Sequence, residues 1–304
     1  MQDLRLKSIR DQIPAFARAT HITALGGGLT NMNYRVDTKE GIYVMRVSDT
    51  ATGILGINRE NEKLNTERAN IAGVGPVVID FLPAENVLVL SWINARTLHK
   101  EDLHQQSGLL SRIAGALKNL HAGPAFAGDF YFPAIRSKYL EIVLKNNYFI
   151  PARYLSVEPM IRQLEKIMEA TQEERVPCNN DLLPENFLDD GEKIWIIDYE
   201  YAGQNEPSFE IGNLAGEAAL NDKQIATLCD AYWQQHLPSK IARARAWSMI
   251  ARYGWVLWAS IQEAISSISF DFRTWGMNKW NSVLPEITGD DYHAVLAELK
   301  KYDT

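Results

Sequence analysis

Three residues in the middle of the chain have the types and the spacing that phosphoryl transfer requires. Asp181 and Asn186 lie five residues apart in the stretch CNNDLLPENFL, and Asp198 ends a β-type run twelve residues later. A carboxylate in such a loop can orient an attacking hydroxyl and accept its proton, while an amide and a second carboxylate are hard oxygen ligands that hold Mg²⁺ against a triphosphate. Each residue alone is also a common turn or cap residue. Their combination favours a phosphoryl-transfer site.

A glycine-rich segment, GGGLTN at residues 26–31, joins two predicted strands near the amino terminus. Glycines there permit positive φ and let backbone N–H groups approach a phosphate closely. The segment is not a Walker A loop, because no GK[ST] follows and the next element is a strand. An ordinary glycine-rich hairpin and a phosphate-binding loop both fit these residues.

Arg46 lies near the end of the predicted strand IYVMRV, on the same face as Ile42 and Val44. In a kinase-like lobe, a cation at this place lies above the nucleotide phosphates and is positioned by a carboxylate from the next helix, here Glu60 or Glu62. Helical spacing does not choose between the two. The alternative is an arginine whose stem packs while its guanidinium reaches water.

Aromatic residues near the carboxyl terminus form a candidate cation site. Trp255 and Trp258 are three apart on one face of a predicted helix, and Phe272 and Trp275 follow in the next segment. A quaternary ammonium cannot donate N–H hydrogen bonds, so it is recognised by π faces and a nearby carboxylate, for which Glu217 is our candidate. A buried helical stripe of tryptophans is the alternative interpretation.

The elements that must position these residues change in type along the chain. Residues 21–92 contain five short Val/Ile/Tyr-rich runs, which predict five strands, and one helical stretch over residues 58–72. Residues 98–121 show helical spacing of apolar residues, and helices dominate from there on. One exception is the predicted hairpin that turns at Asp190 and Gly191. We therefore predict an α+β fold with a β-rich lobe at residues 1–95 and a helical lobe at residues 96–304.

Composition excludes several other classes of protein. The 304 residues are 46% hydrophobic and carry a formal charge of −7, with no basic cluster that would bind nucleic acid. Two cysteines, Cys178 and Cys229, lie in unrelated contexts and predict neither a disulfide framework nor a zinc module. The start of the sequence does not read as a signal peptide, and no apolar run is long enough to span a membrane. We therefore expect a cytoplasmic protein with no membrane or nucleic-acid partner.

The motifs NNDLLPEN and IDYEYAG make the chain resemble the choline/ethanolamine kinase family, within the aminoglycoside phosphotransferase-like and protein-kinase-like folds. The likeness covers roughly residues 22–284 and continues in FEIGNLAGE and in the pattern W-x-L-W-x-x-x-Q-x-x-ISSI. It implies a two-lobed fold and an ATP- and Mg²⁺-dependent transfer to the hydroxyl of choline or ethanolamine. It also implies that Asp181 is the base, that Asn186 and Asp198 hold Mg²⁺, and that Tyr201 is a further wall of the cation cage.

By the same resemblance, one group of residues contacts the nucleotide, with an adenine hinge in LSWINARTL. The group consists of Gly27, Gly28, Thr30, Asn31, Arg46, Glu62, Ser91, Trp92 and Ile93.

The chain departs from the family pattern at two positions. Asn179 stands where the family usually has His, a residue that braces the catalytic loop and the metal-binding segment, and Trp275 stands where choline kinases tend to have Tyr. Two alternatives therefore accompany the leading interpretation. One is a phosphotransferase for another cationic alcohol, such as an aminoglycoside or thiamine. The other is a pseudokinase that binds nucleotide or choline.

Overall fold

A five-stranded antiparallel sheet forms the first part of the molecule. The computed structural model describes residues 2–48 and 50–301. The strands pair in the order β1-β2-β3-β5-β4. Their bounds are β1 Ala19–Leu25, β2 Asn31–Thr38, β3 Ile42–Ser48, β4 Val78–Leu82 and β5 Val87–Ser91. These are the five strands that the sequence predicts, and the sheet buries Val36, Met45 and Val89 against helix α1 (Gln2–Gln12).

Helix α2 (Arg59–Ile71) interrupts the strands, as residues 58–72 predict. Asn58 caps its start, because the side chain accepts a hydrogen bond from the Asn61 amide at 3.0 Å. Gly73 follows its end with a φ of +79°, which favours glycine. The helix therefore has a fixed register, which turns Glu62 inward and leaves Glu60 exposed.

The second part of the molecule is mainly helical. Its apolar segment at residues 98–121 forms two helices, because Gly108 adopts a φ of +79° between them. The helix at Pro207–Glu217 packs closely against the helix at Pro238–Ile265. Glycine at position 212 permits this contact, since a Cβ there would lie 2.4 Å from the Ala244 carbonyl oxygen. The helices are α3 Lys100–Gln105, α4 Leu109–His121, α5 Phe132–Lys145, α6 Tyr154–Ala170, α7 Pro207–Glu217, α8 Asp222–Trp233, α9 Pro238–Ile265, α10 Phe272–Thr288 and α11 Asp290–Lys300.

Two small sheets frame the residues with predicted chemistry. Strands β6 (Arg96–Thr97), β8 (Phe187–Asp189) and β9 (Ile194–Ile196) form one sheet, and β7 (Val176–Cys178) pairs with β10 (Gly203–Asn205) in the other. The β8–β9 hairpin turns at Asp190 and Gly191, as predicted, with Gly191 at a φ of +95°. Asp181 and Asn186 therefore lie between β7 and β8, and Asp198 lies between β9 and β10.

The lobe boundary at residue 95 stays a prediction, and it falls in the segment between β5 and β6. Both cysteines are buried and unbonded. Across residues 2–48 and 50–301, no helix combines the length and apolar character of a membrane span.

Candidate active site

One cavity of about 750 Å³ brings together most of the residues selected from the sequence. It lies where the glycine-rich loop faces the segments that follow β7 and β9, and α9 and α10 close its far side. The lining residues that bear on function are Gly26, Gly27, Gly28, Thr30, Asn31, Asp181, Asn186, Asp198, Glu200, Tyr201, Glu217, Trp255, Trp258, Phe270 and Trp275.

The glycine-rich loop needs glycine at two positions. Gly27 has a φ of +94°, and a Cβ on Gly28 would lie 2.1 Å from the Asn31 carbonyl oxygen. Two side chains at the end of the loop reach across the cavity to Glu200. Thr30 donates from Oγ1 at 2.6 Å and Asn31 donates from Nδ2 at 2.9 Å. The loop is thus fastened directly to the segment that carries Asp198.

The loop with Asp181 is held by its own side chains. Asn186 donates from Nδ2 to the Asp181 carbonyl at 2.7 Å. Asn179 donates to the Asp198 carbonyl at 2.8 Å, and its Oδ1 accepts from the Asp181 amide at 3.1 Å. Asn180 and Asp198 have left-handed backbones, with φ of 68° and 66°. Such backbone strain is concentrated at functional sites. Asn179 therefore contacts both the loop with Asp181 and the segment with Asp198, which are the two segments that a bracing residue must join.

A buried pair behind this loop fixes its backbone. Glu210 on α7 accepts from the amides of Asn179 and Asn180 at 2.6 and 3.0 Å. Its other oxygen pairs with His121 Nε2 at 2.5 Å, and His121 Nδ1 lies 2.7 Å from the Tyr232 hydroxyl. The hydrogen bonds to Glu210 orient the peptide units that precede Asp181.

Charged side chains cross the cleft between the sheet and the Asp198 segment. Arg46 contacts Asp198 Oδ1 at 2.6 Å and Glu62 Oε1 at 3.3 Å. Arg59 contacts Glu62 at 2.7 Å and Glu200 at 3.1 Å. The partner that the sequence left open between Glu60 and Glu62 is therefore Glu62. The Arg46 guanidinium is buried in this network, so its head does not reach water.

Charge and burial raise the pKa of two carboxyl groups of the cavity, those of Asp181 and Glu200. Burial, together with the negative charges of Asp198, Glu200 and Glu217, raises the pKa of Asp181 well above its ordinary value, and the Lys279 ammonium opposes this rise. Burial and Asp198 also raise the pKa of Glu200, against the effect of two arginines. A carboxylate with a raised pKa is a better proton acceptor than an ordinary one.

The aromatic residues form one wall of the cavity. Trp258 lies 6.5 Å from Trp255 and 5.2 Å from Trp275 between ring centroids, and its Nε1 donates to the Tyr201 hydroxyl at 2.9 Å. Phe272 is not among the described residues that line the cavity, and it supports Trp258 from behind at 5.8 Å. Trp255 and Trp258 are both core residues and cavity residues, so the two interpretations of the stripe describe the same side chains.

A comparison with known protein families identifies the family of this chain. Residues 22–283 match the family described as choline/ethanolamine kinase. The chain belongs to the choline/ethanolamine kinase family. Membership makes it a nucleotide-binding phosphotransferase that acts on a small-molecule alcohol, as the sequence predicts.

Individual relatives agree with this assignment. Protein LicA of Haemophilus influenzae is 29% identical over 254 residues, which are 78% of this chain and 72% of that protein. A choline/ethanolamine kinase family protein from Mesorhizobium loti has a crystal structure with 28% identity and a TM-score of 0.86, covering 99% of this chain and 100% of its own. Choline kinase LicA from Streptococcus pneumoniae has 26% identity and a TM-score of 0.79, covering 93% and 98%.

The predicted fold class is confirmed as well. The choline/ethanolamine kinase relatives and the aminoglycoside phosphotransferases share the two-lobed, protein-kinase-like α+β fold of this chain.

The predicted adenine hinge lies outside the cavity described above. Ser91 Oγ accepts from the Val77 amide at 3.0 Å, and Trp92 stacks under Arg35 at 4.8 Å. Ile93 likewise is not among the described lining residues. The hinge role of Ser91, Trp92 and Ile93 stays a prediction.

Several side chains of this kinase site were not selected from its sequence, although some left a local signal. Arg59 stands three residues before Glu62 on α2, and Glu200 stands two residues after Asp198 in IDYEYAG. Glu210 lies in FEIGNLAGE, which served only as a mark of family likeness. Lys279 stands one helical turn after Trp275, and this spacing could have drawn attention to it.

Proposed function

We propose that the chain transfers the γ-phosphoryl group of ATP to the hydroxyl of choline, with ethanolamine as the second candidate. The observation that carries this proposal is the division of one cavity into two parts. Asp181, Asn186 and Asp198 lie on one side, and an aromatic wall with the Glu217 carboxylate lies on the other. A small amino alcohol bound with its cation at the wall would present its hydroxyl towards Asp181.

We assign Asp181 as the base for this transfer. Its carboxylate accepts the proton of the substrate hydroxyl while that oxygen forms a bond to the γ-phosphorus and the bond to the bridging oxygen of ADP breaks. The raised pKa of Asp181 supports this role, because it strengthens proton acceptance. Asn179 and Asn186 hold the Asp181 backbone in place, because Asn179 accepts from its amide and Asn186 donates to its carbonyl oxygen.

The oxygen donors of Asn186 and Asp198 fit a magnesium ion. Asn186 uses its Nδ2 on the Asp181 carbonyl, so its Oδ1 is the ligand atom, and Arg46 engages Asp198 through Oδ1, so Oδ2 is the oxygen that we assign to the ion. Mg²⁺ in this place would offset the charge of the transferred phosphates. We assign binding of the nucleotide phosphates to the loop residues Gly27, Gly28, Thr30 and Asn31. We assign Arg46 and Glu62 to the phosphate end of the nucleotide as well.

The aromatic wall supports a single alkylammonium head as the substrate's cation. Trp255, Trp258, Trp275 and Tyr201 supply π faces, each contributing about 0.5 to 2 kcal/mol to the binding of a cation. Phe272 supports this wall without lining the cavity. The Glu217 carboxylate adds a negative charge at its edge, which suits one positive centre.

Initial-rate measurements of ADP formation test the proposal. Choline should stimulate turnover in the presence of Mg²⁺, ethanolamine should do so less, and thiamine or an aminoglycoside should have little effect. Asp181→Asn should lower turnover by about 10² to 10⁴ with nucleotide binding retained, and Asp198→Ala should abolish transfer. Asp129→Asn, an exposed carboxylate outside this cavity, is the control. Binding of nucleotide and choline with no turnover would instead establish a pseudokinase.

A further inference from the structure

The carboxylate of the cation site already has a cationic partner within the protein. Lys279 on α10 directs its ammonium to both oxygens of Glu217. The same ammonium lies 3.9 Å from the centroid of the Trp275 ring. The two side chains are only 9% and 7% exposed, so the pair is shielded from water. Glu217 and Trp275 line the cavity, and Lys279 lies directly behind them.

Other polar atoms of the wall are also engaged. The Tyr201 hydroxyl accepts from Trp258 Nε1 at 2.9 Å, and Trp255 Nε1 donates to Asn213 Oδ1 at 2.8 Å. The wall therefore presents aromatic faces to the cavity, while the indole N–H groups of Trp255 and Trp258 donate to partners inside the protein. Each of the two Glu217 oxygens already accepts a hydrogen bond from Lys279.

We propose that Lys279 is a specificity-determining residue that makes this cavity prefer a quaternary ammonium to a primary ammonium. The inference rests on the proposed function and narrows its substrate to the fully alkylated amine. A primary ammonium has three N–H donors, which lose their water on binding and need acceptors from the protein. A quaternary ammonium has no N–H donor and is held by π faces and by the field of a carboxylate. Because Lys279 donates to both Glu217 oxygens, fewer of their lone pairs are left for the N–H groups of a primary amine, and the cost falls mainly on that amine.

Replacing Lys279 should shift the preference between the two amines. Lys279→Met frees the Glu217 oxygens, so a primary ammonium gains a charged acceptor and a quaternary one gains much less. One hydrogen bond to a charged group corresponds to about tenfold in affinity. We expect the ratio of choline to ethanolamine affinity, measured by quenching of tryptophan fluorescence with each amine alone, to fall about tenfold. The ratio of the two kcat/KM values should fall in parallel.

A matched control exists elsewhere in the chain. Lys240 pairs with Glu173 and lies 5.5 Å from the Trp233 ring centroid, so the same three residue types meet outside this cavity. Lys240→Met should leave the amine ratio within about twofold of the wild type. Lys279→Gln keeps one hydrogen bond to Glu217 and should give an intermediate ratio, and it carries the test if Lys279→Met does not fold.

The outcomes separate this inference from the proposed function. An amine ratio that stays within about twofold of the wild type in folded Lys279 variants overturns the role of Lys279, whether or not the chain is a choline kinase. Failure of both amines to bind the wild type overturns it as well. Selective binding of choline without phosphoryl transfer would support the role of Lys279 and would contradict only the proposed reaction.

Discussion

Asp181 occupies a position where its own ionisation opposes folding. Its pKa is raised in the folded chain by burial and by three other carboxylates, so the folded state binds a proton more tightly than the unfolded state does. The stability of the chain therefore falls as the pH rises from the unfolded value of about 3.9 through the raised folded value. This cost follows from placing a base among the groups that would hold a metal ion.

We therefore expect Asp181→Asn to stabilise the protein while it removes activity. In EDTA at pH 8 the melting temperature should rise, by about 2 °C for each kcal/mol gained in unfolding free energy. The gain should shrink as the pH is lowered towards about 4 and vanish below it, because Asp181 is then protonated in both states. Scanning calorimetry at several pH values measures both effects.

Asp129→Asn is the control for this stability measurement, since the Asp129 side chain is 68% exposed and pairs only loosely with Arg175 at 3.3 Å. It should produce little change at either pH. A lower melting temperature for Asp181→Asn at pH 8 than for the unaltered chain would contradict the charge argument. It would mean that the Asp181 carboxylate makes a net stabilising contact.

At the scale of elements, the connection from β1 to β2 has very little room at Gly28. A Cβ at Gly28 would meet the Asn31 backbone oxygen at 2.1 Å, so the loop would have to move. The same movement would separate Thr30 and Asn31 from Glu200. The loop is therefore a rigid part of the cavity, although its sequence is rich in glycine.

Gly28→Ala should raise the KM for ATP more than about tenfold and leave the KM for choline nearly unchanged, because a methyl group in that space displaces the backbone that we assign to the phosphates. Gly26→Ala is a matched control, since a Cβ on Gly26 has no atom within 4 Å. It should leave both constants within about twofold. Similar effects of the two variants would show that the loop adapts to a side chain and does not fix the nucleotide.

Across the whole molecule, the two parts meet through buried charges as well as through the cavity. Arg46 on β3 and Arg59 on α2 contact Glu62, Asp198 and Glu200, so two cations face three carboxylates. The excess of one negative charge borders the cavity where the metal ion is assigned. A divalent cation bound there would complete the charge balance of the cleft.

Mg²⁺ together with ATP should therefore stabilise the whole chain more than ATP alone. A ligand present at 100 times its dissociation constant adds about 2.7 kcal/mol to the unfolding free energy. In thermal-shift measurements, Asp198→Ala should lose the part of the shift that depends on Mg²⁺. The shift within each variant is the relevant quantity, because this substitution also removes the partner of Arg46. Equal shifts with and without Mg²⁺ in the unaltered chain would contradict the metal assignment.

The sequence by itself determined the features that depend on near neighbours. Alternating apolar residues, the Asn58 cap and glycines at turns fix the five strands, helix α2 and the β8–β9 hairpin, since each signal acts within a few residues. The motif NNDLLPEN likewise places Asp181 and Asn186 in one loop, and the family followed from such motifs. Only residues 98–121 were less regular than their spacing indicated, because Gly108 divides them.

Only the tertiary structure decided which distant side chains meet. Thr30 reaches Glu200 across 170 positions of the chain, and Lys279 reaches Glu217 across 62. The choice of Glu62 as the partner of Arg46 also required the packing of α2 against the sheet. Such contacts depend on how whole elements pack, and the strength of a buried ion pair depends on the water that this packing removes. No local pattern of residues carries that information.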